Sequence, residues 1–201
     1  LSAIGTATAK IRFLGEQPVR GYWQGLTFSS SAAANELTHV EVAYGGGGGG
    51  SNPANVTVNP FERLRLTNTT LRESAGLGLF IGGEANLPGF ASNTLRNNAA
   101  AGIRLPLDLL GALDLASDYL TGNGQAFLDV YGDNVDRPQT WRITAAPIRV
   151  SGSSTIWSAV IIEPGVTFRF AAGAGWSIAG SGYLSAIGTA TAKIRFLGEQ
   201  P

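Results

Sequence analysis

Six aspartates crowd one stretch of this chain: Asp108, Asp114, Asp118, Asp129, Asp133 and Asp136. Carboxylates grouped in this way can hold Ca²⁺ or serve as the acid and base of glycoside cleavage. Asp129, Asp133 and Asp136 are the candidate Ca²⁺ ligands. The competing reading is that YGDNVDRP (131–138) is dense in turn formers, which is reason enough for its Asp and Asn. Asp114 and Asp118 sit four apart, where a helical turn inserted between extended segments would put them together.

Little else could do chemistry. His39 is the only His, which excludes a metal site built on several His ligands and most catalytic triads. With no Cys there are no disulfides, thiolate metal sites or Cys nucleophiles. The expectation is a chain that is not an enzyme, with no catalytic residue and no cofactor. Trp23, Trp141, Trp157 and Trp176 could stack on sugars if two or more shared an exposed face, or could pack on one another in a core. Asn55-Val-Thr57 and Asn68-Thr-Thr70 match the N-glycosylation sequon.

Formal net charge is +0 and only 14% of residues are charged, against roughly 25% in an ordinary globular protein. The basic residues are nearly all Arg and are scattered. Neither nucleic acid nor an anionic membrane is expected as a partner. No apolar run approaches the roughly 18 residues of a membrane span, and no charged-then-apolar leader opens the sequence. Lacking an initiator Met, it reads as a fragment or a processed piece. The absence of Cys and Met removes the side chains most open to oxidation and suits secreted or cell-surface material.

The elements that would position these residues are announced by a repeat. Residues 1–18, LSAIGTATAKIRFLGEQP, recur unchanged as residues 184–201, a period of 183 residues. Two origins compete: a tandem array of near-identical modules, or an engineered duplication. The overlap starts and stops inside a strand-turn-strand pattern, where an arbitrary window on a continuous array would fall, so the array is preferred. The chain is then a single module, with 184–201 beginning the next.

A shorter period lies inside the module. Aligning ELTHVEVAYGG (36–46), RLTNTTLRESAG (65–76), ASNTLRNNAAAG (91–102) and ASDYLTGNGQA (116–126) superposes Val42, Leu71, Leu95 and Leu120, at spacings of 29, 24 and 25 residues. Within each unit, apolar residues alternate over short stretches between Asn, Ser and Gly clusters, the pattern of half-buried strands joined by turns. A sandwich has no reason to repeat every 24 or 25 residues. The period predicts an all-β, right-handed parallel β-helix, or β-solenoid, of about eight coils of roughly 23–25 residues, in which like residues stack at about 4.8 Å. Asn68 and Asn93 could then turn inward and bond neighbouring backbone amides, or face solvent as ordinary turn residues. His39 occupies the position of Asn68 and is expected to be a turn or wall residue. The run Gly45–Gly50 lies where the spacing stretches to 29, and 45–54 reads as a mobile Gly-rich loop inserted in a coil.

The segments IIEPGVTFRFAAGAGWSIAGSGYLSAIGTATAKIRFLG (161–198), GYWQGLTFSS (21–30), ELTHVEVAYGG (36–46) and LTNTTLRESAGLGLFI (66–81) resemble those of large bacterial right-handed parallel β-helix surface proteins. The resemblance implies an adhesin-like surface protein of tandem modules, with its entry coils near Trp141.

These readings converge on a structural or adhesive extracellular protein, one module of an array forming a fibre, stalk or surface layer. Its expected partners are neighbouring identical modules end to end, with glycans a further candidate. The alternatives are a polysaccharide-active enzyme of the pectate-lyase type and a carbohydrate-binding adhesin.

Overall fold

The computed structural model describes residues 1–199. The first half of the chain forms β1 (Ser2–Ile4), β2 (Ile11–Leu14), β3 (Leu26–Phe28), β4 (Glu36–Thr38), β5 (Val40–Ala43), β6 (Ala54–Val58), β7 (Arg65–Thr67), β8 (Thr70–Arg72) and β9 (Leu77–Ile81). Next come β10 (Thr94–Arg96), β11 (Ile103–Pro106), β12 (Leu128–Tyr131), β13 (Gln139–Trp141), β14 (Ile148–Val150) and β15 (Ser153–Ile156). The last are β16 (Ala159–Ile162), β17 (Thr167–Phe170), β18 (Gly175–Ile178), β19 (Tyr183–Ala186) and β20 (Arg195–Gly198). Among the described residues helix is confined to one 3-10 segment, Leu107–Ala112. No helix among the described residues is long and apolar enough to cross a membrane.

Every strand pair among the described residues is parallel, and the sheets are open, with no closed barrel. The chain visits them in a fixed rotation. Strands β1, β4 and β7 form a first sheet, β2, β5, β8 and β10 a second, and β3, β6, β9, β11, β12, β14, β17 and β20 a third. Beyond β12, the first position in the rotation passes to β15 and β18, and the second to β13, β16 and β19. The third sheet runs through all eight of its strands in strict chain order.

Parallel strands buried on their inner face need apolar columns, and the alternating residues supply them. In the third sheet one column runs through Leu26, Val56, Leu79 and Ile103 and continues as Leu128, Ile148, Phe168 and Phe196. In the second sheet Phe13, Val42, Leu71 and Leu95 stand in register, the last three wholly buried. Each such side chain contributes about 1.5–3 kcal/mol by leaving water. A single apolar cluster extends from Ala3 to Phe168.

The expected superposition holds for Val42, Leu71 and Leu95 and slips by one residue at Leu120. Thr94 bridges Asp118, which sets Leu95 opposite Tyr119. Tyr119 is buried, whereas Leu120 is only partly so. Asp118 causes the slip: its carboxylate accepts the N–H groups of Leu120 (3.0 Å) and Thr121 (3.1 Å), tightening the turn just where the strand should begin. The spacing also varies more than the expected 23–25 residues. It is 30 between Leu26 and Val56, 24 between Leu71 and Leu95, and 20 between Leu128, Ile148 and Phe168.

The Gly45–Gly50 run lies outside the strands, as a loop, but its first half is packed. Gly45 and Gly46 are buried, and the N–H of Gly47 donates to the Trp23 carbonyl at 2.8 Å. A Cβ at Gly47 would lie 2.4 Å from the Gly21 carbonyl oxygen, so the close approach of two backbones requires glycine there. Within the run, only at Gly49 and Gly50 would an added Cβ meet open space.

Candidate functional site

The polar residues at the corners hold the stack together. His39, Asn68 and Ser92 mark one corner and Tyr44, Glu73 and Asn97 the next, all with φ between 50° and 66°. A residue in this left-handed region swings the following N–H out of the strand ladder and along the stack. Side chains on the next pass meet these N–H groups. Thr69 Oγ1 accepts from Val40 N–H (3.3 Å), Asn93 Oδ1 from Thr69 N–H (3.1 Å) and Ser117 Oγ from Asn93 N–H (2.8 Å). At the second corner Asn98 Oδ1 accepts from Ser74 N–H (3.0 Å), and Asn123 Oδ1 from Asn98 N–H (2.9 Å).

Asn93 therefore turns inward, as its place in the repeat allowed, and its Nδ2 also donates to the Leu66 carbonyl. Asn68 does not: it is exposed, and its neighbour Thr69 takes the inward post. His39 shares the left-handed corner of Asn68, as the alignment placed it. The second ladder, with Asn98 and Asn123, escaped the sequence reading. The N-N pair at 97–98 carried its signal, one Asn for the turn and one for the ladder.

The aspartates are dispersed among structural tasks. Asp129 is buried between Arg104 (3.5 Å) and Arg149 (3.4 Å), which precede and follow it in the register of the third sheet. Arg149 also clasps Glu199 through Nε at 3.0 Å. Asp133 accepts the N–H of Asn134, and Asp136 is exposed. Among the described residues no three His, Asp or Glu side chains are grouped so as to hold a metal ion.

Asp114 and Asp118 lie beyond the 3-10 segment, so no helical turn joins them. Asp114 accepts from Ser117 Oγ and from Ser92 N–H at 2.9 Å, which fastens the end of the first ladder. Burial would push the Asp118 carboxyl up, but the hydrogen bonds from Thr121 and Leu120 outweigh it and hold its pKa below the ordinary value. Asp108 shifts the other way: burial raises it, against the opposing pull of Arg137.

Three of the four tryptophans are packing residues. Trp141 is wholly buried, and Trp176 sits edge-on to Phe168 and Phe170, each with ring centroids 4.9 Å away. Trp23 Nε1 donates to the Ala43 carbonyl. Trp157 is the one strongly exposed indole, so no shared aromatic face forms. Of the two sequons, Asn55 is buried, with its amide bonded to Gly45 N–H and the Arg72 carbonyl, and Asn68 is open to solvent.

What remains is the pair of end surfaces. Strands β1, β2 and β3 pair on one edge only, with β4, β5 and β6. Strands β18, β19 and β20 pair on one edge only, with β15, β16 and β17. Apolar side chains crowd these ends, Ile4, Leu14 and Tyr22 at one and Ile178, Tyr183, Ile187 and Phe196 at the other, all at least 44% exposed. Such edges are templates for further strands.

No protein-family model, curated protein or solved structure matches this chain. The class therefore rests on the geometry: a nearly all-β protein of stacked parallel sheets, 3% helical.

Proposed function

We propose that the chain is one module of a right-handed parallel β-helix array, a structural or adhesive element outside the cell that forms a fibre, stalk or surface layer. The observation that carries this reading is the third sheet, whose eight strands stack in chain order without a reversal. A chain that returns to the same sheet in the same direction after every 20–30 residues winds as a solenoid, and right-handed winding is the rule for parallel crossovers. Eight coils at about 4.8 Å give a module on the order of 40 Å long. Interior polar groups bonded from coil to coil, and a core with no break, suit a stiff rod that resists proteolysis.

Electron microscopy of the native material tests the proposal. Rods with an axial repeat near the module length are expected, and featureless globular particles would overturn it. Incubation with acidic polysaccharides, with and without Ca²⁺, is expected to release no unsaturated product. Release that disappears in Asp129→Ala or Asp133→Ala would replace this reading with a lyase.

A further inference from the structure

Over the described residues, 1–16 and 184–199, the two copies of the segment form the same turn. In both, the hydroxyl of the first threonine of the turn accepts the N–H of the alanine three residues on: Ala9 to Thr6 at 3.0 Å, Ala192 to Thr189 at 2.9 Å. They differ in which edge is occupied. In the first copy the segment pairs with the coil C-terminal to it: Glu36 N–H donates to the Leu1 carbonyl, Gly5 N–H to Thr38 and Ile11 N–H to His39. In the second copy it pairs with the coil N-terminal to it. There Arg195 N–H donates to Val166 and Glu199 N–H to Phe170, and Tyr183 N–H, one residue ahead of the copy, donates to Ser158.

In a parallel strand alternate residues bond to opposite neighbours. On the numbering of the first copy, Leu1, Gly5 and Ile11 serve one edge, while Arg195 and Glu199 correspond to positions 12 and 16 and serve the other. The two sets are complementary. A single copy of the segment can thus hold both neighbours at once without any group being used twice.

From this we infer that consecutive modules share the segment as one continuous coil, pinned by β16 and β17 of the copy before and by β4 and β5 of the copy after. The inference rests on the array reading above, and its partner is a second copy of this chain. Side chains agree with it. Arg12 pairs with Glu41 at 3.2 Å, whereas Arg195 makes no ion pair among the described residues and would meet Glu41 of the next copy. Gly5 has no side chain because a Cβ would lie 2.6 Å from the His39 carbonyl oxygen. Its counterpart Gly188 meets only its own turn, and the space on that side is left for the next copy.

Sharing also fixes a rotation. Segment 1–18 lies in the first and second sheets, whereas 184–198 lies in the second and third positions of the rotation. Between β1 and β19 the chain crosses the third sheet seven times, at β3, β6, β9, β11, β12, β14 and β17, and stops one side further round. Each module is therefore turned by one side of three relative to the last. Strand β18 receives β3 of the next copy, and any surface feature returns to the same side only at every third module.

The test compares amide hydrogen exchange in this chain and in a chain of two copies joined through one shared segment. In the single chain Tyr183, Arg195 and Glu199 should be protected and Gly188 and Ile194 should exchange freely. In the joined chain Gly188 and Ile194 should slow by at least about 100-fold, the other three keeping their protection. If Gly188 and Ile194 stay fast, or gain protection only as the other three lose it, modules are separate beads and the inference is overturned while the array reading stands. If the joined chain lacks a β-sheet circular dichroism spectrum, both fall.

Discussion

The amide oxygen of Asn93 accepts the backbone N–H of Thr69, 24 residues earlier, at 3.1 Å, and its Nδ2 donates to the Leu66 carbonyl at 2.9 Å. One side chain thus satisfies the buried Thr69 N–H, which the left-handed corner would leave unpaired, and adds a second donor to the Leu66 carbonyl, which also accepts the Ala91 N–H at 3.1 Å. Asn93→Ala removes both bonds at a site that is 1% exposed. An unsatisfied buried polar group costs about 1–3 kcal/mol, so the urea midpoint should fall clearly. Asn68→Gly, outside the ladder and at a φ of 50° that glycine accepts without strain, should lower it far less.

The one-residue slip at Asp118 makes opposite demands on neighbours. Leu71→Ala, in the wholly buried column, should cost about 2–5 kcal/mol. Leu120→Ala should cost well under half of that, because Tyr119 fills the column there. Equal losses from the two substitutions in denaturant melts would restore the sequence alignment and refute the register.

Corner geometry sets the tolerance at His39. With φ at 52°, the position suits Asn and penalises β-branched side chains. His39→Asn should leave the thermal midpoint unchanged or raise it, whereas His39→Val should cost about 1–2 kcal/mol. A stability loss from both would point to contacts of the imidazole itself.

Acidification should act through Asp118. Its pKa is lowered in the fold, since hydrogen bonds from Thr121 and Leu120 outweigh the burial that opposes them. A depressed carboxyl contributes stability that is complete above the unfolded value of about 3.9 and is lost as pH falls through the lower folded value. Thermal melts of Asp118→Ala across pH 2–6 (roughly the carboxylate range) should therefore show a flatter acid limb than the parent chain. Parallel acid limbs would show that the carboxylate does not carry this dependence.

Expression in a host with N-glycosylation machinery separates the two sequons. Asn68, exposed at its corner, should be modified, and Asn55, buried with both amide atoms engaged, should not. Mass spectrometry of tryptic peptides decides between them, and a glycan on Asn55 would contradict its burial.

Much of the architecture could be read from the chain before any coordinates. Val42, Leu71 and Leu95 recur at coil-length intervals because each is an inward residue of a strand laid on its predecessor, and periodicity reports stacking directly. The tasks of the polar residues could not be read. Asn68 and Asn93 flank the same corner one place apart in the repeat, yet one faces water and the other the core, since Asn68 holds the left-handed position itself and Thr69 takes the inward post that Asn93 fills in the next unit.

The amino-acid sequence by itself determined that residues 1–18 recur as 184–201, that strands dominate and that Val42, Leu71 and Leu95 share a column, because these properties arise from repetition and alternation along one dimension. Only the tertiary structure decided that Asp129 is spent on Arg104 and Arg149, and that the repeated segment offers opposite edges at its two occurrences. Those facts depend on which residues meet across 20 or more positions of chain, and hydrogen-bond parity and ion pairing exist only once the strands lie side by side.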